Sequence, residues 1–198
     1  MRKLFFSAAM LLLSQVGFGQ AVNDQAIIPV SVTLNSILRL TVVSGGNIDF
    51  VVNTIDQYTS GINAGGGDAR YHTKFTVSAS QDFDVTIRAE DASFLGQDNA
   101  ANTMPLNNVG LSIDDSDAGG VAGTNWDLAV GVLALTNAAQ DIVKGIANAA
   151  AGDAAQNNFT IQWQLGTMQG AMNGSSLLAQ SLTPDRYITN VFLELVPK

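Results

Sequence analysis

The chain has 198 residues, no cysteine and a formal net charge of -8, from 9 basic against 17 acidic side chains. The lack of cysteine excludes disulfides and thiol chemistry, so stability must come from packing and strand pairing. The acidic balance argues against nucleic acid as a partner, because that needs clustered Lys and Arg, and against an anionic membrane surface.

The first nineteen residues predict a secretory signal peptide. Arg2 and Lys3 give a positive start, residues 4–13 are apolar apart from one Ser, and Gly17-Phe18-Gly19 suits signal peptidase. Cleavage after Gly19 would leave Gln20 first and remove two basic residues, which changes the net charge from -8 to -10. A spanning helix needs about 20 apolar residues, so this run is too short to be a membrane anchor. We therefore expect a secreted protein that is extracellular or on the cell surface, with the periplasm as the alternative.

The stretch after the predicted cleavage site predicts a first strand over residues 27–34. Apolar side chains alternate there with Pro29, Ser31 and Thr33, and the apolar set is Ile28, Val30, Val32 and Leu34. Two interpretations are open. The segment could pair within its own domain as the first strand of a sandwich, or it could leave its own sheet and add to the sheet of another molecule.

Alternation predicts further strands along the chain. The next two are 37–43 and 48–52, and the sequence TKFTVSASQDFDVTIRAED predicts a hairpin. Residues 91–105 predict a loop, and strands follow within LNNVGLSIDD, 128–135 and 140–146, with a short helix over 147–155 as a minor alternative. The last two strands lie in NNFTIQWQL and RYITNVFLELVP. About nine short strands with little helix predict one all-β domain over residues 20–198, an antiparallel β-sandwich of Ig-like or pilin-like type.

Residues suited to catalysis are scarce. His72 is the one histidine, so a Ser-His-Asp triad would depend on it, and a polar residue that starts a strand is the plainer interpretation. Asp82 and Asp84 lie two apart on a strand, about 7 Å, a separation that inverting glycosidases use. They alternate with Phe83 and Val85, which places both carboxylates on the solvent face, where no pKa is raised by burial. We expect no enzyme and assign no catalytic residue.

An alternative function is a secreted module that binds calcium or carbohydrate. Asp114, Asp115 and Asp117 place three carboxylates before a Gly pair, and calcium prefers such hard oxygen ligands, although the spacing is not that of an EF-hand. An acidic turn without metal is the other interpretation. Trp126 lies beside a turn, where an exposed ring could stack on a sugar, whereas Trp163 is in phase with Phe159 and is expected in the core. We expect no cofactor, with calcium as the alternative.

The layout resembles secreted pilin-like sandwiches, including spore coat U-type domains and related exported proteins. The stretches that carry the resemblance are IIPVSVTLNSILRLTVVSGGNIDF, FTVSASQDFDVTI, NNFTIQWQL and YITNVFLELVP, and the signal ending GFGQ looks like those of Bacteroidetes. The chain departs from many pilins because it lacks their cysteine pair and has a long Ala/Gly stretch over 128–156. The resemblance implies an extracellular structural subunit and brings no catalytic residues.

The leading hypothesis is therefore an exported structural or adhesive subunit of a surface or extracellular assembly that is filament-like or coat-like. Its expected partners are copies of itself or other surface proteins, joined by strand exchange through residues 27–34. The binding module is the alternative, and a secreted hydrolase ranks behind both because the needed side chains are scarce.

Overall fold

The computed structural model describes residues 27–63 and 69–198. The chain divides into two compact units, Met1–Leu34 and Asn35–Lys198, and the second unit contains all the described strands and helices. The predicted all-β antiparallel sandwich is confirmed, with thirteen strands and very little helix. The predicted signal peptide, residues 1–19, lies outside the described residues.

The first sheet is entirely antiparallel and has β11 near its centre. Its strands in spatial order are β1 (Leu38–Ser44), β3 (His72–Ala79), β11 (Asn158–Leu165), β7 (Val109–Asp114) and β9 (Leu133–Ala134), and the short β2 (Ile62–Asn63) pairs with the end of β11. The register pairs Leu40 with Val77 on one side and Phe159 with Phe75 further in. These side chains alternate in direction because successive residues of a strand point to opposite faces.

The second sheet packs against the first. Its strands in order are β13 (Val191–Pro197), β4 (Phe83–Ala89), β10 (Gln140–Gly145) and β8 (Trp126–Leu128). A small third sheet has the order β12 (Tyr187–Ile188), β5 (Ser93–Gly96) and β6 (Thr103–Pro105). The N–H of Glu90 donates to the carbonyl of Asn190, which links the β4–β13 pair to the β5–β12 pair. The third sheet therefore continues the second.

Among the described residues, helix is confined to short connections. The α-helix found there, α1 (Ile55–Ser60), starts with a capping box in which Thr54 and Gln57 exchange side-chain-to-backbone hydrogen bonds. Three single 3₁₀ turns follow at Ala69–Tyr71, Leu106–Asn108 and Leu178–Gln180. No helix within the described ranges is long and apolar enough to cross a membrane.

Aromatic side chains join the two sheets in the core. The ring of Phe159 on β11 lies 5.4 Å from that of Phe75 on β3 and 4.9 Å from that of Trp126 on β8, in the opposite sheet. Offset and edge-to-face ring pairs of this kind add to the stability gained from burial. The prediction that Phe159, Ile161, Trp163 and Leu165 face inward is confirmed, because all four are buried.

The predicted hairpin between the two halves of residues 73–89 is wrong. β3 belongs to the first sheet and β4 to the second, so residues 80–82 carry the chain from one sheet to the other. Val77 and Val85 are both fully buried, since the two strands turn their apolar faces toward the same core. Alternation predicts which side chains share a face, and it does not distinguish a hairpin from such a crossing.

Four other predictions differ from the structure. No strand is assigned over 27–34 or over 48–52, and the predicted loop 91–105 contains β5 and β6. The predicted strand 128–135 is divided into the end of β8 and β9 by a turn in which Gly131 has φ 75°, a conformation that favours glycine.

The alternative helix over residues 147–155 is also wrong. The carboxylate of Asp82 accepts hydrogen bonds from the N–H groups of Asn148 at 2.5 Å and Ala150 at 3.1 Å. Asn148 adopts φ 61°, which ends regular structure. A side chain that binds these N–H groups therefore holds the segment as a turn despite its alanines.

Candidate functional site

The N-terminal segment, which we define as residues 27–34, exposes its apolar side chains. Ile27, Ile28, Val30, Val32 and Leu34 are each 79–91% exposed, and the segment has no assigned secondary structure. The predicted assembly residues thus lie together on one extended stretch. Their pairing with another molecule stays a prediction. The strand prediction fails within the single chain because no described strand pairs with them.

The first residue before β1 is fixed to the folded unit by two hydrogen bonds. The N–H of Ile37 donates to Oγ of Ser80 at 2.8 Å, and the carbonyl of Ile37 accepts from the N–H of Ser80 at 2.9 Å. A two-residue hairpin turn at Asn35 and Ser36 would need both of these backbone groups of Ile37. The structure therefore excludes the tightest turn by which the N-terminal segment could fold back onto β1.

β1 ends the first sheet, and among the described strands only β3 pairs with it. In an antiparallel pair, residues alternate between those that bond to the partner and those whose backbone groups face away. Ile37 bonds to Ser80, so the register turns the backbone of Arg39 and Thr41 toward β3. The N–H and C=O groups of the intervening residues, Leu38, Leu40 and Val42, face the open edge.

β13 ends the second sheet on the same side of the sandwich, close to β1. The hydrogen bond from Glu90 to the Asn190 carbonyl sets the alternation here, so Val191, Leu193 and Leu195 turn their backbone groups away from β4. Pro197 occupies the next position of this kind and has no N–H. Proline on an edge strand blocks the addition of a further strand, and β1 contains no proline.

Two neighbouring cavities run beneath residues 47–52, which we call the inner segment. The larger, of about 450 Å³, is lined by Val52, Tyr58, Leu177 and Tyr187 among others. The smaller, of about 310 Å³, is lined by side chains of both sheets, including Val42, Trp163, Val191 and Leu193. Ile48 and Phe50 line both cavities. These two side chains therefore lie where the two cavities meet.

The inner segment is held by side-chain packing. Ile48, Phe50 and Val52 are half-buried and alternate with exposed residues, and the ring of Phe50 stacks on Tyr71 with centroids 4.6 Å apart. Among the hydrogen bonds of the described residues, none involves the backbone of residues 47–52. The sequence predicted a strand over 48–52 because its apolar residues alternate, and such alternation occurs whether or not the segment pairs with another strand.

Asp185 anchors the rim of the larger cavity. Its carboxylate accepts from the N–H groups of Asp98 at 2.9 Å and Asn99 at 3.2 Å and from the side-chain amide of Asn102 at 2.8 Å. The hydrogen bond from Asp98, followed by that from Asn102, holds the pKa of Asp185 below its ordinary value of 3.8. This cluster ties the chain before β12 to the loop between β5 and β6.

The three predicted calcium ligands have different partners. Asp114 accepts from the N–H and hydroxyl of Ser116, Asp115 accepts from Nε1 of Trp126 at 3.1 Å, and Asp117 pairs with Lys74 at 2.7 Å. In the part of the chain that the structure describes, no three His, Cys, Asp or Glu side chains gather closely enough to hold a metal ion. The carboxylates instead fix the turn after β7, and we do not propose a calcium site.

The prediction that Trp126 is exposed for stacking is wrong. Its side chain is 0% exposed and packs edge-on against Phe159, and its indole N–H is satisfied by Asp115. Asp115 explains why a Trp beside a turn is buried, because an indole whose N–H is hydrogen-bonded can lie in a core without loss. Sequence reasoning missed the pair because Asp115 and Trp126 come together only in the folded chain.

Of the residues considered for catalysis, His72 lies on β3 in the first sheet, whereas Asp82 precedes β4 and Asp84 lies on it, in the second sheet. His72 is half-buried at the first position of β3, as expected of a polar residue that starts a strand. Asp82 caps the turn at Asn148, and Asp84 accepts from the N–H of Gly145 at 2.9 Å. The two carboxylates therefore have structural partners on β10 and on the loop after it.

No protein-family model matches the sequence, and comparison with curated proteins gives no match.

Proposed function

We propose that the chain is an exported structural or adhesive subunit of a surface or extracellular assembly, joined to its neighbours by strand exchange through the N-terminal segment. The observation that carries the proposal is the exposure of four alternating apolar side chains, 79–90% each, on a stretch with no partner strand among the described residues. Covering one such side chain contributes about 1.5–3 kcal/mol. Such a row is a docking element for an exposed sheet edge.

Composition supports the same proposal. The N-terminal segment carries no charged side chain, so no like-charge repulsion opposes its addition to another molecule. The acidic remainder of the chain keeps separate subunits soluble before they join. The proposal gives the chain no catalytic role, because the carboxylates of Asp82 and Asp84 accept hydrogen bonds from the backbone of β10 and the turn after it.

The test uses the full chain, exported by a bacterial host and collected outside the cytoplasm. Val30 and Val32 are replaced together by Asp, which places two charges on the apolar face of the N-terminal segment. In the matched control, Ser31 and Thr33 are replaced by Asp on the opposite face. Sedimentation velocity and negative-stain microscopy should show filaments or larger particles for the natural chain and the control, and monomers for the Val30/Val32 variant.

Three results would count against the proposal. The natural chain could remain monomeric at high micromolar concentration, the Val30/Val32 variant could assemble as the natural chain does, or both variants could lose assembly equally. Thermal unfolding of all three proteins checks that the sandwich is intact. At concentrations where all three proteins are monomeric, we expect equal unfolding temperatures, because the substituted side chains are exposed in the single chain.

A further inference from the structure

We infer that the open edge of β1 accepts the N-terminal segment of a second copy of this chain, which adds there as one further strand with its even-numbered residues bonded to β1. This inference rests on the proposed function. It adds which edge accepts the segment, which molecule supplies it and which of its residues bond to β1. Its first support is that the N–H and C=O groups of Leu38, Leu40 and Val42 face a side of the first sheet on which no described strand lies.

Comparison of the two edges on this side favours β1 over β13. β13 has Pro197 at a position that faces its open edge, and its end is fixed because Lys198 donates from its N–H to Asp82 and from Nζ to Gly145. β1 has no proline and a single charge, on Arg39, whose backbone faces β3. Proteins protect edge strands with proline and charge, so β13 is the protected edge and β1 the accessible one.

The position of Pro29 sets which residues of the N-terminal segment face the acceptor. Proline has no N–H and is tolerated in a strand where that side faces solvent. Alternate residues of a strand turn their backbone N–H and C=O groups toward the same neighbouring strand. Pro29 must therefore turn its backbone away from β1, and the even-numbered residues must turn theirs toward it. The bonded set is then Ile28, Val30, Val32 and Leu34. Pro29 also hinders a second segment from adding on the outer side.

The smaller cavity provides space beside the accepting edge. Val42 on β1, at 44% exposure, and Val191 on β13, at 36%, lie on its rim, and Leu135 and Trp163 line its interior. Strand addition derives affinity from main-chain hydrogen bonds and specificity from pockets that take alternate side chains. An aliphatic side chain of the added strand fits this lining without burying a charge.

A second copy is the occupant that the structure favours over the chain's own segment. Both backbone groups of Ile37 are bound to Ser80, so the tightest hairpin turn onto the same β1 is excluded. Every copy presents the same open β1 edge, so the N-terminal segment of one copy finds an acceptor on another. Such a head-to-tail contact builds a linear assembly when the rotation between neighbouring copies does not close, and a ring when it does.

Proline variants at matched positions of the two edges test the inference. In the full exported chain, Val42→Pro removes an N–H from the open side of β1, and Val191→Pro removes one from the open side of β13. Both residues are partly exposed and line the same cavity, so their effects on packing are comparable. We expect Val42→Pro to raise the concentration needed for assembly at least tenfold and Val191→Pro to leave it within twofold.

Amide hydrogen exchange of the natural chain gives a second measurement that does not depend on whether a proline variant folds. On assembly, the amides of Leu38, Leu40 and Val42 should become at least tenfold slower to exchange, and those of Leu193 and Leu195 should not change. Protection at Leu193 and Leu195 instead, or a greater effect of Val191→Pro, would overturn the assignment to β1. Unchanged exchange at β1 in assembled protein would also overturn it and leave the proposed function standing, whereas a natural chain that never assembles contradicts the proposed function itself.

Discussion

Two stretches of this chain have the same sequence character and opposite surroundings. The N-terminal segment and the inner segment are both outside the assigned strands, apolar at alternate positions and without a partner strand among the described residues. In the inner segment the apolar side chains are half-buried over two cavities, and in the N-terminal segment they are exposed. Alternation thus states which side chains share a face, and only the folded chain decides whether that face is covered.

The largest expected effect distinguishes the two segments by their contribution to stability. Phe50→Ala removes a ring that stacks on Tyr71 and lines both cavities, so we expect the free energy of unfolding to fall by about 2 kcal/mol. Val32→Ala, the matched change in the N-terminal segment, should alter it by less than about 0.5 kcal/mol. Urea unfolding of the monomeric proteins measures both. Equal losses in the two variants would mean that the N-terminal segment is packed against its own chain.

A pair of adjacent prolines tests the parity inferred for the N-terminal segment. Val32→Pro removes an N–H that would bond to β1. Thr33→Pro removes an N–H on the outer side, the side to which the odd-numbered Pro29 also belongs. We expect Val32→Pro to raise the concentration for assembly about tenfold, which corresponds to the loss of one hydrogen bond of about 1.4 kcal/mol. Thr33→Pro should have little effect. Sedimentation velocity measures both, and the reverse order would show that the odd-numbered residues face the acceptor.

The smallest expected effect depends on pH and concerns the region of the inner segment alone. Hydrogen bonds from Asp98 and Asn102 lower the pKa of Asp185 in the folded state. A lowered folded pKa adds stability that is fully present above the ordinary value of 3.8 and is lost as the pH falls through the folded value. We therefore expect the unfolding temperature to decrease slightly below about pH 4.

The variant Asp185→Asn tests this pH dependence because it removes the carboxylate whose pKa is lowered. It should reduce the acid-induced decrease in unfolding temperature. Asp185 is partly exposed, so the difference will be small and screened by salt. The N-terminal segment has no titratable side chain and should not contribute. An unchanged decrease in the Asp185 variant would contradict the assignment.

Local patterns were enough to predict part of the fold. β1, β10 and β11 lie close to where alternation predicts them, and the inward side chains of β11 are buried as expected. The crossing from β3 to β4 was not predictable, because a hairpin and a crossing between sheets have the same alternation and turn residues. β5 and β6 were missed because each is short and is completed by its partners.

Of the two parts of the candidate site, only the N-terminal segment could be predicted from the sequence. The apolar face of the N-terminal segment is visible in the sequence, since the alternation and the lack of charge are local properties. The open edge of β1 is not, because it depends on the spatial order of strands that are far apart along the chain. The burial of Trp126 was missed for a similar reason, since its partner Asp115 lies eleven residues earlier and only the fold brings the two together.

The place of β11 between β3 and β7 determines when the first sheet can form during synthesis of the polypeptide. β3 and β7 leave the ribosome long before β11, yet each needs β11 as its shared neighbour. Pairings over such sequence separations make folding slow. The first sheet can therefore close only after most of the polypeptide has been made.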